Sequence, residues 1–328
     1  RNKTVFVDAR EGTPLADVSG ALAGIETGTR ERNATGGDIT LRSEGDLIVR
    51  AGSVLDVSGG SVQWQGGLIE TTVLVGADGR LYDIAGASPD RRYVALAGRY
   101  AVTDPKWGVT REFRTLPGRW DAGYVQGRPA GSIIAQARRV VLDGELRGAV
   151  VNGPRQRELA DRAAPGQLIL GNAGAAAQTI PDFMLPDLRL DTVAAPTLGA
   201  DFSFGTPDAL TPLPPSAAER LVLDPARLAA GGIGHIEAYA NGTVTVAAGA
   251  PLSLAPGGSL ALTGSRVAVG ADLSVPAGSI VLRSRVTATT VAADADTLTL
   301  AVADGVTLAA RGLWTNDALT GSGTGLLA

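Results

Sequence analysis

The sequence predicts an all-β fold of the solenoid kind, a parallel β-helix with insertions outside its coils. Three observations predict it. A short phrase, Gly-polar-apolar-x-apolar, recurs along the 328 residues. Around these phrases apolar and polar residues alternate, the period of half-buried strands. Composition suits tight turns and a narrow interior, with 44 Gly and only 4% aromatic residues.

The phrase begins at Gly37-Asp38-Ile39, Gly131-Ser132-Ile133, Gly166-Gln167-Leu168, Gly234-His235-Ile236, Gly258-Ser259-Leu260 and Gly278-Ser279-Ile280. From Gly234 to Gly258 is 24 residues, and from Gly258 to Gly278 is 20. Periods of that size belong to stacked repeats. Asn241-Gly242, Pro256-Gly257 and Pro276-Ala277-Gly278 punctuate the strands as turns. A sandwich would favour hairpin spacing and aromatic core anchors instead. A single coil cannot bury its inner face alone, so neighbours stack. About 10 to 12 coils at about 4.8 Å would extend a rod by roughly 50 Å.

The elements follow in order. Residues 1–35 form an irregular lead-in, with a strand at Thr4–Val7 and either a short helix or an irregular excursion over Ala16–Ile25. Residues 36–150 hold coils interrupted by an aromatic- and Arg-rich excursion at 77–130, read as strands or a hairpin. Residues 151–232 form an insertion whose many prolines break any long strand or helix. Within it, Ser216 and Glu219 form a capping-box pattern and predict a helix over 216–223. Residues 233–328 return to coils.

Composition excludes several chemistries. There is no Cys and one His, so thiolate sites, disulfides and His-rich metal centres are out within one chain. With 29 Lys+Arg against 33 Asp+Glu, the net charge of −4 gives no reason to expect a nucleic-acid partner. Absence of Cys agrees with export through an oxidising compartment. The start at Arg1 and the Gly-rich close at 321–325 read as cuts within a longer chain.

The phrases Gly36-Gly37-Asp38-Ile39-Thr40-Leu41 and Ala51-Gly52-Ser53-Val54-Leu55-Asp56-Val57-Ser58-Gly59-Gly60 resemble the filamentous haemagglutinin family, the large exoproteins of two-partner secretion. Tyr100-Ala101-Val102-Thr103-Asp104-Pro105-Lys106-Trp107-Gly108-Val109-Thr110 resembles a stretch between repeats in that family. The resemblance covers about 36–150 and 232–312. It implies a right-handed parallel β-helix and export through an outer-membrane transporter. It also implies an adhesive role outside the bacterial cell, against host-cell, glycan or matrix surfaces. The Asn-Pro-Asn-Gly type secretion motif is not present, so transporter recognition is placed outside this sequence.

Candidate chemistry is sparse, and no catalytic or metal-ligating set is assigned. The best binding candidates are Tyr93, Tyr100, Trp107, Arg111, Trp120 and Tyr124, since rings beside Arg can stack on sugars or grip acidic groups. The competing reading has these rings covering a coil face, with Arg stems laid over them. His235, with Glu237 two residues on, is read as a solvent-exposed residue at a strand start. Asp182, Asp187, Asp191, Asp201 and Asp208 are the acids a polysaccharide-cleaving β-helix would need, but their spacing is irregular. No cofactor is implied. Ca²⁺ is the one ion such oxygens would suit, although no tandem Gly-Gly-x-Gly-x-Asp repeat occurs. The expected role is a stiff adhesive rod. A self-associating, filament-forming scaffold is the alternative, and a polysaccharide-cleaving enzyme the second alternative.

Overall fold

The computed structural model describes residues 5–9, 11–24, 28–97, 99–114, 119–171, 185–206, 209–285 and 298–313. The chain is all-β, with a few short helices, and divides into two compact units. One unit comprises residues 1–32 and 63–125; the other comprises 33–62 and 126–328.

The larger unit is built from parallel strands. Its first sheet has six, in the order Ile39–Arg42, Ser132–Gln136, Gly166–Leu170, Ile233–Tyr239, Ser259–Gly264 and Ser279–Ser284. These are the six Gly-polar-apolar phrases. They lie in one register: Ile39, Ile133, Leu168, Ile236, Leu260 and Ile280 are successive partners. Stacking also explains the repeated glycine. A Cβ on Gly258 would come within 2.2 Å of the Gly234 carbonyl oxygen, and one on Gly278 within 2.2 Å of the Gly258 oxygen. No side chain fits where one strand start sits on the next.

A second set runs Arg220–Leu223, Asp187–Leu190, Thr243–Val246, Arg266–Val269 and Thr299–Val302. The pair Asp46–Val49 and Arg139–Leu142 precedes it, with Arg139–Leu142 lying against Arg220–Leu223. A third set joins Leu252–Ser253, Leu273–Ser274 and Leu308–Ala309, while Val54–Asp56 pairs with Glu145–Arg147. Helix Pro225–Ala230 packs against both Glu145–Arg147 and Leu252–Ser253. Asp224 caps it by accepting from the Ala226 amide at 2.9 Å, and Pro225 opens its first turn. From Ile233 onward the chain visits the first, second and third sets in turn, three times over. Alternate residues point inward, and one core joins all three sets, with Leu168, Leu190, Leu260 and Leu273 fully buried.

The second set contains an inversion of chain order. Asp187–Leu190 precedes Arg220–Leu223 in sequence, yet lies between it and Thr243–Val246. The segment between them turns back over the outer side of the same set. There Leu198, Leu213 and Ala217 bury Val141, with Ile48 and Phe202 beside them. The Asp143 carboxylate accepts from the Thr197 and Leu198 amides at 2.8 and 3.0 Å, and Arg50 donates to the Phe202 and Gly199 carbonyls. The described part of the Pro-rich stretch is therefore folded onto its own unit.

Three expectations are corrected here. The helix expected over 216–223 spans only Pro215–Ala218, capped at Pro214, and Arg220–Leu223 is a strand. The alternation Leu221-x-Leu223 outweighs the capping-box pattern, because both leucines are needed in the core. Fewer parallel strands stack than the 10 to 12 expected: the longest described sheet has six, since excursions consume much of the chain. His235 faces outward but is half-buried, as described below.

The smaller unit is antiparallel. Val73–Gly76 pairs on either side with Leu81–Asp83 and Tyr93–Ala97, and Arg99–Thr103 pairs with Thr110–Arg114. Its core holds three buried side chains, Leu74, Ile84 and Ala87, with Val7, Tyr82, Tyr93 and Leu96 packed around them. Phe6 and Thr72 exchange two hydrogen bonds, tying the lead-in to this unit.

Candidate functional site

The aromatic candidates of the smaller unit fall in separate places. Tyr93 belongs to its core. Its ring meets Tyr82 edge-on at 5.9 Å, and its hydroxyl donates to the Ser88 carbonyl at 3.0 Å. Tyr82 in turn donates to Asp78 at 2.6 Å, and Arg91 lies 4.5 Å above the Tyr82 ring while pairing with Asp78 at 2.9 Å. The Tyr82 hydroxyl is the main cause that holds the Asp78 carboxyl below its ordinary range. The polar groups of this cluster bond one another. Tyr124 stacks on Trp64 at 6.3 Å, a partner the candidate set did not include.

Two tryptophans face water. Trp107 stands at the tip of the Arg99–Thr103/Thr110–Arg114 hairpin and is 71% exposed. The tip is set by local bonds: the Gly108 amide donates to the Asp104 carbonyl, and the Lys106 amide to the Asp104 side chain. Gly108 takes the left-handed φ of 64° that the turn requires. The Lys106 ammonium sits 5.3 Å from the Trp107 ring. Tyr100 and Arg111 lie on the hairpin strands, opposite Phe113 and Val102. Trp120 lies opposite Leu68 where Arg119–Asp121 pairs with Gly67–Ile69. Both are wet, at 67% and 59% exposure. Arg119 is anchored by Glu11, which also raises its pKa, and by Asp8 at 3.8 Å. Exposed rings on hydrogen-bonded strands and a fixed turn offer flat, amphipathic contact area at low entropy cost.

Two shallow clefts of the larger unit share Val193, Ala194 and Ala195 in their walls. One, of about 600 Å³, is lined by Ser53, Asp143, Glu145, Pro196 and Arg227 among others. The other, of about 570 Å³, includes Thr192, Ser216, Glu219 and Arg220. Of the lining carboxylates, Asp143 and Glu145 are engaged. Asp143 holds the Thr197 and Leu198 amides, and Glu145 pairs with Arg147 at 2.8 Å, which lowers its pKa. Asp191 bonds Arg189 and the Thr192 amide, and Asp187 accepts from the Thr243 amide at 2.7 Å. Asp201 lies in the turn closed by the Phe202 amide on the Gly199 carbonyl. Asp182 and Asp208 lie outside the described residues. Among the described residues no group of three or more His, Asp or Glu could hold a metal ion.

His235 occupies the outer side of the first sheet. Its Nδ1 lies 2.9 Å from the Ser259 hydroxyl on the neighbouring strand, and burial lowers its pKa. Glu237, two residues on, accepts from the Tyr239 hydroxyl. Burial, followed by that hydrogen bond, pushes the Tyr239 phenol up to about 12. The expectation of a freely exposed histidine is corrected: a cross-strand serine partner and neighbouring side chains cover half of it.

Comparison of the chain with protein-family models, curated proteins and solved structures finds no match.

Proposed function

We propose that this chain is a segment of a secreted bacterial surface exoprotein of the filamentous haemagglutinin kind. In this reading the parallel sets form a β-helix, a stiff rod that serves adhesion to cells, surfaces or matrix. One observation supports it above the others: six phrases of the same pattern stack in one register. Backbone ladders between successive turns resist extension and bending, which suits a mechanical spacer. The right-handed sense is the one that parallel crossover connections adopt almost without exception. Trp107 and Trp120, held on the antiparallel unit, supply the adhesive contacts. Tyr100 and Arg111 belong to the same hairpin as Trp107, while Tyr93 and Tyr124 hold the unit together. Export through an outer-membrane transporter is part of this reading.

The test is adhesion of the purified chain to immobilised glycans and cultured cells. Trp107→Ala with Trp120→Ala is expected to weaken binding roughly tenfold or more, the usual effect of truncating two aromatic anchors. Unchanged binding by a folded double variant would remove this surface from the proposal.

A further inference from the structure

The hairpin of Arg99–Thr103 and Thr110–Arg114 carries its turn outward, and every residue from 103 to 110 is exposed. At the tip Trp107 is 71% and Val109 51% exposed, with Gly108 between them. The polar groups of the turn are bonded inside it. The Asp104 amide donates to the Val109 carbonyl at 3.0 Å, and the Gly108 amide to the Asp104 carbonyl at 2.8 Å. The Asp104 carboxylate accepts from the Lys106 amide at 2.9 Å, and Pro105 has no N–H to satisfy. The Thr103 and Thr110 hydroxyls bond each other at 3.0 Å. What the turn offers its surroundings is chiefly an indole ring, an aliphatic side chain and the Lys106 ammonium, 5.3 Å from the ring.

This chemistry selects among partners. A sugar is held by enclosing it and by free donors and acceptors that meet its hydroxyls. The turn is convex, and it has bonded its own amides and hydroxyls to one another. A bilayer interface asks for the reverse. Backbone groups must be paired before entry, because unpaired ones are costly there, and an amphipathic ring suits headgroup depth. A lysine stem can follow the ring while its ammonium stays level with the phosphates. Charge selects the kind of lipid. Over 99–114 the basic residues Arg99, Lys106, Arg111 and Arg114 stand against Asp104 and Glu112, in a chain whose net charge is −4. The register also sets Arg99 opposite Arg114, and like charges at paired positions are unfavourable. An anionic headgroup layer offsets that cost.

We propose that this hairpin tip docks on an anionic phospholipid bilayer, with Trp107 and Val109 entering the headgroup layer and Lys106 meeting phosphate. The proposal rests on the adhesive reading of Trp107 and names its partner. The test is co-sedimentation of the 328-residue chain with vesicles of equal parts phosphatidylserine and phosphatidylcholine, and with vesicles of phosphatidylcholine alone. Binding to the mixed vesicles is expected to exceed binding to the neutral ones roughly tenfold or more, and to fall with added salt as the surface attraction is screened. Trp107→Ala and Lys106→Glu are each expected to weaken it by about tenfold or more. Both lie in an exposed turn, and circular dichroism checks that they fold. Tryptophan emission of the wild type shifts to the blue on binding, and Trp107→Ala loses that shift. Equal binding to both kinds of vesicle, or binding to the mixed vesicles unmoved by both substitutions, would overturn the proposal. Trp107-dependent binding to immobilised glycans with no binding to vesicles would also overturn it, yet leave the adhesive reading standing. Absence of Trp107-dependent binding to vesicles, glycans and cells alike would overturn both.

Discussion

The larger unit repeats one solution, while the smaller unit solves burial once. In the parallel sets each inner side chain sits on a counterpart of its own kind, Leu168 beside Ile236 and Ile236 beside Leu260. In the antiparallel unit burial rests on Leu74, Ile84 and Ala87, and the rest of the order comes from surface bonds such as Tyr82 to Asp78. A repetitive core tolerates long excursions because neighbouring turns carry its stability. A small core depends on each of its members, and Trp107 and Trp120 stay exposed outside it.

The sharpest test of this contrast pairs two substitutions. Leu260→Ala empties a fully buried site in the middle of the first sheet and is expected to cost about 2–5 kcal/mol. Leu74→Ala does comparable damage to a far smaller core. Hydrogen exchange should then rise across Val73–Gly76 while Ser259–Gly264 stays protected. Equal loss of protection in both places would break the comparison.

A smaller effect is acid sensitivity of the parallel unit. Burial holds the folded pKa of His235 below its ordinary 6.5, so the folded protein takes up this proton less readily than the unfolded chain. The stability that neutral His235 contributes is complete above pH 6.5 and is lost as pH falls through the lower folded value. Urea unfolding at pH 7.5 and pH 5 should show a loss in the wild type that is reduced in His235→Gln. As the chain has a single His, its NMR resonance reads the shift without assignment. A midpoint at or above 6.5 would contradict the burial described here.

The smallest effect concerns a turn. Ala277 has φ of 51°, the only described non-glycine residue with positive φ, where the preceding turn uses Gly257 at 79°. Ala277→Gly is expected to stabilise by about 1 kcal/mol, seen as a modest rise in Tm. A fall would mean that the Ala277 methyl packs more usefully than its backbone is strained.

The parallel set was legible in the sequence because stacking imposes the same demand at every turn. Gly258 and Gly278 cannot carry a side chain, and the residues two places after them must be apolar, so the phrase repeats. The order of Asp187–Leu190 and Arg220–Leu223 was not legible. Both present leucines two apart, and nothing local says which lies nearer Arg139–Leu142. Helix Pro225–Ala230 was hidden by its length, too short for a periodic stripe. At the candidate site, composition identified Trp107 and Trp120, but which rings face water depends on tertiary packing. Tyr93 and Trp107 look alike in the sequence; Tyr82 and Leu74 make one a core residue, and a turn held by Asp104 makes the other a surface one. Leu68 is visible only as the cross-strand partner of Trp120.

The inverted strand order bears on how the chain assembles. A polypeptide that emerges from its amino terminus presents Asp187–Leu190 before Arg220–Leu223 exists. At that moment the open edge of Arg139–Leu142 faces a strand with the right leucines in the wrong place. The native arrangement needs that edge kept for the later strand, and Asp187 supplies the distinction, because its carboxylate finds the Thr243 amide only when Asp187–Leu190 lies against Thr243–Val246. The native partners of Asp187–Leu190 are complete only once Thr243, 56 residues beyond Asp187, has been made, a longer separation than the 20 and 24 residues between the last three phrases.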